Sequence, residues 1–433
     1  MLVQFSVENF LSFKEKMTFN MTTHKSMNEH EETHVFEHED FRFLKSAVLY
    51  GANASGKSNL FVAMGRMKML MLNSSKESQA NEEIEVEAFK LSTETENSPS
   101  LFEIVFIYNH VLYRYGFVAD RKRIHEEWLY YRPDLKKKKE IELFARDGDS
   151  IKIKPKTIFT SEAKGLESKT RKNALFISVV ANFNGKVAMD ILEWIKHLDF
   201  LSGIKNPIDY TLEMLSDPIY KMKILNFIRI ADLDIEDLHM EKIDLTQYEF
   251  PNDIPKEVTE HLSGVKVAIS AHKKFNENKE QVGLSLFDVN DNESEGTKKF
   301  LGLAGPILEK FEKGGVLVVD ELDAKLHPLL TRKIIEMFNS YDINANNAQL
   351  IFATHDVTNL TKDIFRRDQV WFTEKDHYGV TDLYSLADYK QEQLEKKVRN
   401  DASYGKDYLL GKYGAIPNIG DLHLFLEDND YGN

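Results

Sequence analysis

The chain has 433 residues, of which 42% are hydrophobic and 29% charged, with 21 glycines, 10 prolines and no cysteine. This excludes collagenous, low-complexity and wholly disordered polymers, as well as disulfide scaffolds, thiol catalysis and thiolate zinc sites; it allows two or three domains and suits a reducing compartment. The formal charge of −14, from 56 Lys and Arg against 70 Asp and Glu, argues against a protein that coats nucleic acid over its whole surface, though not against a local basic groove. No apolar run approaches the roughly 18–20 residues that span a bilayer, so a cytoplasmic protein with no membrane partner is expected.

In chain order, Met1 to Phe19 alternates apolar and polar residues and predicts two strands, not a leader peptide. Residues 21–40 read as a polar loop, in which His24, His30, His34 and His38 lack metal-ligand spacing. Ser46 to Tyr50 is a short apolar run ending at Gly51, the pattern of a buried strand entering a glycine loop. Ser58 to Leu72 follows with Leu60, Phe61, Met64, Met67, Leu70 and Met71 at helical spacing, a core-packing stripe. Residues 84–159 alternate like an antiparallel meander. Within them, 121–157 hold 12 Lys or Arg against 7 Asp or Glu, read first as a solvated hairpin tip and second as a nucleic-acid or partner surface. Residues 160–173 read as a polar, mobile connector, Asn173 to about Leu233 has a helical period, and 238–290 returns to strands. After Ser294 the order is helix, strand (Gly315 to Val319), helix (Leu329 to Ser340), strand (Leu350 to Ala353), which predicts a parallel doubly wound sheet.

Two motifs carry chemistry. Gly51-Ala52-Asn53-Ala54-Ser55-Gly56-Lys57-Ser58 fits G-x-x-x-x-G-K-[ST] between an apolar strand and an amphipathic helix. Its glycines let backbone N–H groups turn toward phosphate oxygens, and the following helix offers its positive end. Lys57 would contact the β- and γ-phosphates of ATP and the Ser58 hydroxyl would ligand Mg²⁺, with Asn53, Ala54, Ser55, Gly56 and Asn59 completing the cradle. The second motif is Gly315-Val316-Leu317-Val318-Val319-Asp320-Glu321, where a buried strand runs into two carboxylates. Asp320 would hold Mg²⁺ through water and Glu321 would polarise the attacking water as general base.

GANASGKSN and LVVDELDAKLHP, with IFATHD after them, resemble the ABC-type ATPases of the SMC, RecF and OLD kind, as does the opening VQFSVENFLSF. RRDQVWFTEKD, LYSL and GKYGAIP in the tail resemble the abortive-infection ATPases called AbiLi or RloA. The resemblance implies an α/β P-loop NTPase of the ABC-type ATPase head, with an antiparallel β subdomain and a helical insertion. Residues 1–159 and 238–433 would form the two parts of the core and 160–237 the insertion. It also implies that Asp323 lies in a D-loop at a dimer interface and that His355 is a switch histidine sensing the γ-phosphate. Ser294, Gly296 and Thr297 would stand where the signature motif meets the partner's nucleotide, with an ordinary helix cap by Ser294 as the plain alternative. No glutamine stands at the usual Q-loop position, and the insertion is too short for a coiled-coil arm. Only 78 residues follow His355, too few for a nuclease module, and Glu427, Asp428 and Asp430 read as an acidic tail. The expectation is an ATP-sandwiched homodimer acting as sensor or regulator in prokaryotic antiviral defence. It would work with a separately encoded effector, a nuclease among the candidates. The alternatives are a RecF-like DNA-repair ATPase and a nucleotide-bound scaffold that does not turn over.

Overall fold

The computed structural model describes residues 1–76, 79, 81–203, 208–231, 233–242, 266–391, 396–397 and 402–418. The chain divides into two compact units. One comprises Val3–His30, Ala47–Ala188 and Val357–Asn433; the other comprises Met1–Leu2, Glu31–Ser46 and Met189–Asp356.

The first unit contains the meander. Its strands stand in the order Ser150–Ile153, Ile141–Asp147, Ile124–Arg132, Val111–Ala119, Ser100–Tyr108, Leu2–Glu8, Met17–Asn20. Phe102, Ile104 and Phe106 pair in register with Phe117, Tyr115 and Tyr113, and all six are buried on one face of the sheet. The same unit holds Ala47 to Tyr50 of the strand Ser46–Tyr50, whose residues Val48 to Tyr50 run parallel to Val370–Phe372, with Thr381–Ser385 antiparallel beyond. The helix Lys57–Asn73 buries Leu60, Phe61, Met64, Met67 and Met71. Tyr408 and Tyr413 from the GKYGAIP region pack their rings 5.4 and 5.8 Å from Phe372.

In the second unit, Leu198–Ser202, Val316–Asp320 and Gln349–Ala353 are parallel neighbours in that order. VLVVD and QLIFA are almost wholly buried, as strands covered on both faces require. The helix Glu295–Lys313 contains Pro306, which has no N–H to give the Gly302 carbonyl one turn back. Thr211 supplies the missing donor: its hydroxyl bonds Gly302 O at 3.1 Å and accepts the Gly305 amide at 3.0 Å. A three-stranded antiparallel sheet, Ile235–Lys242, Lys266–Phe275 and Gln281–Asp288, completes the unit.

Three readings from periodicity change. The helical stretch 173–233 is interrupted by the strand Leu198–Ser202, which pairs in register with Val316–Asp320. The loop 21–40 contains a strand, Val35–His38, and its His34 is only 8% exposed. The connector 160–173 carries a short helix, Thr160–Ala163. Each element is five residues or fewer, too short to impose a period on a window of a dozen. Residues 243–265 of the expected strand region, and Glu427, Asp428 and Asp430, lie outside the described residues. Among those described, no helix is long and apolar enough to cross a membrane, and no group of three or more His, Asp or Glu is placed to hold a metal ion.

Candidate functional site

The glycine loop is built by close approach. A Cβ on Gly51 would lie 2.5 Å from both Ser55 Oγ and the Thr373 carbonyl, and one on Gly56, at φ +113°, would strike the Thr381 side chain at 2.5 Å. Ala54 adopts φ +61°, a left-handed conformation that costs a residue with a Cβ about 1–2 kcal/mol. Hydroxyls brace the turn: Ser55 Oγ and Thr373 Oγ1 are 2.6 Å apart, and Thr381 Oγ1 is 2.8 Å from the Ser55 carbonyl and from Ser12 Oγ. Asn59 donates to Ser12 Oγ at 2.7 Å. Lys57 is 6% exposed, and its ammonium donates to the Gly51 and Ala52 carbonyls at 2.9 and 3.0 Å. Asn53, Ala54 and Ser58 are exposed. Gly56 caps the helix Lys57–Asn73 without a side-chain hydrogen bond, so first-turn N–H groups remain for an anion. Sequence reasoning missed Ser12, Thr373 and Thr381, since no local pattern marks a hydroxyl that meets a loop 47 residues away, as Ser12 does through Asn59, or more than 300 away, as Thr373 and Thr381 do.

The acidic strand end belongs to the other unit. Asp320 ends its strand, and Glu321, half-buried, turns the chain at φ +55°. The Leu322 amide then bonds the Ala353 carbonyl at 3.1 Å, and the His355 amide bonds Asp323 Oδ2 at 3.3 Å. Glu321, Asp323 and His355 are thus brought to one corner, with His355 exposed. Asp320 Oδ1 and Asp323 Oδ1 are buried with no hydrogen-bond partner among the described residues. Buried carboxylate oxygens in that state are costly unless a cation or water reaches them.

Ser294 caps the helix Glu295–Lys313, its hydroxyl accepting the Thr297 amide at 3.0 Å. Glu295 bridges to Lys298 and Lys325, whose hydrogen bonds hold its carboxyl down at about 2. A Cβ on Gly296 would sit 3.0 Å from the Lys325 carbonyl, so the start of the helix lies against the segment following Asp323. One further residue escaped sequence reasoning. Lys299 is fully buried and donates to the Gly203 carbonyl at 2.6 Å. Burial pushes its ammonium down to about 8; Lys325 adds to the shift, while Asp323 and Glu321 oppose it.

The arrangement offers a backbone cradle with a buried cation in one unit, and a carboxylate cluster beside a histidine and a capped helix in the other. No curated protein matches the chain. Among solved structures, an SMC head domain from Thermotoga maritima is similar at 11% identity and a TM-score of 0.38, over 89% of this chain and 98% of that one. Residues 46–361, which include the glycine loop, the acidic strand and His355, match one family over more than half the chain, and the protein belongs to that family, described as "AAA domain, putative AbiEii toxin, Type IV TA system".

Proposed function

We propose that the chain is an ATP-hydrolysing switch that dimerises head to tail around two nucleotides. The observation carrying this reading is the glycine loop with its buried Lys57, set on a helix whose first turn has no side-chain cap. Lys57 and the loop amides from Asn53 to Asn59 bind the phosphates, and Glu321 orients and deprotonates the attacking water. Asp320 Oδ1, without a hydrogen-bond partner among the described residues, is a hard oxygen of the kind Mg²⁺ takes, so Asp320 and the exposed Ser58 hydroxyl would hold that ion. Bound there, it would neutralise charge on the β- and γ-phosphates. His355 reads the γ-phosphate, while Ser294, Gly296 and Thr297 address the partner's nucleotide and Asp323 lines the contact between copies. Loss of the shared γ-phosphate would reopen the dimer.

The biological part of the proposal is a cytoplasmic sensor or regulator in prokaryotic antiviral defence, acting through a separately encoded effector. It is supported by the family's description, which names an AbiEii toxin and a type IV toxin–antitoxin system, and by the resemblance of the tail. A second reading, a DNA-bound repair ATPase, is favoured by one surface. Lys136, Lys138, Lys139, Lys152, Lys154 and Lys156 are exposed, and Lys154 bonds its backbone to Leu143, bringing the two lysine groups toward the same end of the meander.

Light scattering on the Glu321→Gln protein tests the first reading. ATP should double its mass, and adding Lys57→Ala should abolish the doubling. A monomer unmoved by ATP would refute the sandwich and remove the roles given to His355 and Ser294.

A further inference from the structure

Resting on the ATPase reading, the second unit suggests how the helix start and the acidic turn communicate. Lys299 lies on the helix Glu295–Lys313, little more than one turn from Ser294, with none of its side chain exposed. Its ammonium donates to the Gly203 carbonyl at 2.6 Å. Gly203 follows Ser202, which is in register with Asp320, and the Gly203 amide bonds the Asp320 carbonyl at 2.5 Å. A Cβ on Gly203 would fall 1.8 Å from the Glu321 carbonyl and 2.4 Å from that of Asp320, so its backbone touches the peptide joining the two acids. The path from helix to ammonium to Gly203 to Asp320–Glu321 is continuous. A second clamp runs beside it, the exposed Glu295–Lys325 pair at 2.7 Å. Burying an ammonium against a single carbonyl among the described residues is a poor way to stabilise a core, and a methionine of similar length would avoid the desolvation. What lysine adds is a directional bond to one particular carbonyl.

We propose that Lys299 is a positioning residue that couples the Ser294–Thr297 turn to the Asp320–Glu321 turn of the same subunit. In a sandwich dimer these two turns address different nucleotides, so Lys299 links the two ATP sites and makes their turnover cooperative.

Lys299→Met and the conservative Lys299→Arg are compared with the full-length parent. In Lys299→Met, affinity for a fluorescent ATP analogue should stay within about twofold, while kcat falls about tenfold or more and the Hill coefficient for ATP drops to about 1. Lys299→Arg, which keeps a donor, should recover most of the rate. Wild-type kcat and Hill coefficient in Lys299→Met would overturn the proposal. So would equal losses of binding and rate in both variants, which mark a merely structural lysine. Should Lys299→Met fail to fold, Lys299→Leu, also without a donor, takes its place. Hydrogen exchange without nucleotide gives a readout independent of turnover: the Gly203 amide should lose protection in the donor-less variant while Val316 to Val319 keep theirs, and unchanged Gly203 protection would end the proposal. Absence of ATP hydrolysis in the wild-type protein would sink the ATPase reading instead, and the exchange result would still decide the coupling.

Discussion

Replacing Thr381 with valine isolates the brace beneath the glycine loop. Thr381 is fully buried, its Cγ2 faces Gly56, and its hydroxyl is 2.8 Å from the Ser55 carbonyl and from Ser12 Oγ. Valine keeps the shape that excludes a side chain at Gly56 and removes only the hydroxyl. Ser12 Oγ retains Asn59 as donor at 2.7 Å, so the group that suffers is the Ser55 carbonyl. A buried acceptor stripped of its donor costs about 1–3 kcal/mol. If that cost is relieved by the loop leaving its turn, it reappears as weaker nucleotide binding, about tenfold for each 1.4 kcal/mol. We therefore expect Thr381→Val to bind a fluorescent ATP analogue about five- to 140-fold more weakly, with its urea midpoint lowered only modestly. Thr381→Ser, which keeps the hydroxyl and loses the methyl, should bind close to wild type. The reverse ranking, valine tight and serine weak, would show that packing against Gly56 shapes the loop and would refute the hydroxyl argument.

The cap and the ligand roles of Ser294 can be separated. Ser294→Ala should cost about 1 kcal/mol in urea denaturation through loss of the cap, whereas Ser294→Asp keeps the cap and sets a like charge against a phosphate. If both abolish ATP-dependent mass doubling in the Glu321→Gln background, the hydroxyl touches nucleotide; doubling that survives in Ser294→Asp leaves it a cap only. For the lysine surface, anisotropy of labelled duplex and single-stranded DNA against salt should show a steep slope if nucleic acid binds there. Replacing Lys152, Lys154 and Lys156 with alanine should then reduce that slope by about 2–3. Binding unaffected by the triple change would place any nucleic acid elsewhere, and aggregation of the variant would show that these lysines protect the sheet edge at Ser150–Ile153 instead.

What the sequence reveals here follows the range of the interactions. The glycine loop and the acidic strand are contiguous in sequence, so residue type and order suffice to find them. Strands such as Phe102–Phe106 declare themselves through alternation. Leu198–Ser202 does not, because five residues between two helices add no period of their own, and only its register with Val316–Asp320 reveals it as a strand. The braces are hidden for the same reason. Ser55 and Thr373 are 318 residues apart, and Lys299 and Gly203 are 96 apart. Neither pair carries a spacing rule, and a buried lysine in Glu-Gly-Thr-Lys-Lys-Phe looks like any helix-surface lysine until its partner is placed.

The corner around Asp320 gathers several local costs into one turn. Glu321 turns through a left-handed conformation at φ +55°, at a cost of about 1–2 kcal/mol for a residue with a Cβ. Two carboxylate oxygens are buried without hydrogen-bond partners among the described residues, and a lysine is fully buried a short step away. Within the same unit the helix Glu295–Lys313 meets a comparable difficulty at Pro306 and resolves it, with Thr211 donating to the carbonyl the proline leaves open. The contrast matters. At Pro306 the open carbonyl has acquired a partner; at the acidic turn, the available fixes, a glycine at 321 or amides at 320 and 323, are absent. Strain and open valences concentrated in one turn are what a fold selected for stability alone removes first. Their persistence at Asp320, Glu321 and Asp323 is a physical argument, separate from any motif, for chemistry at that turn.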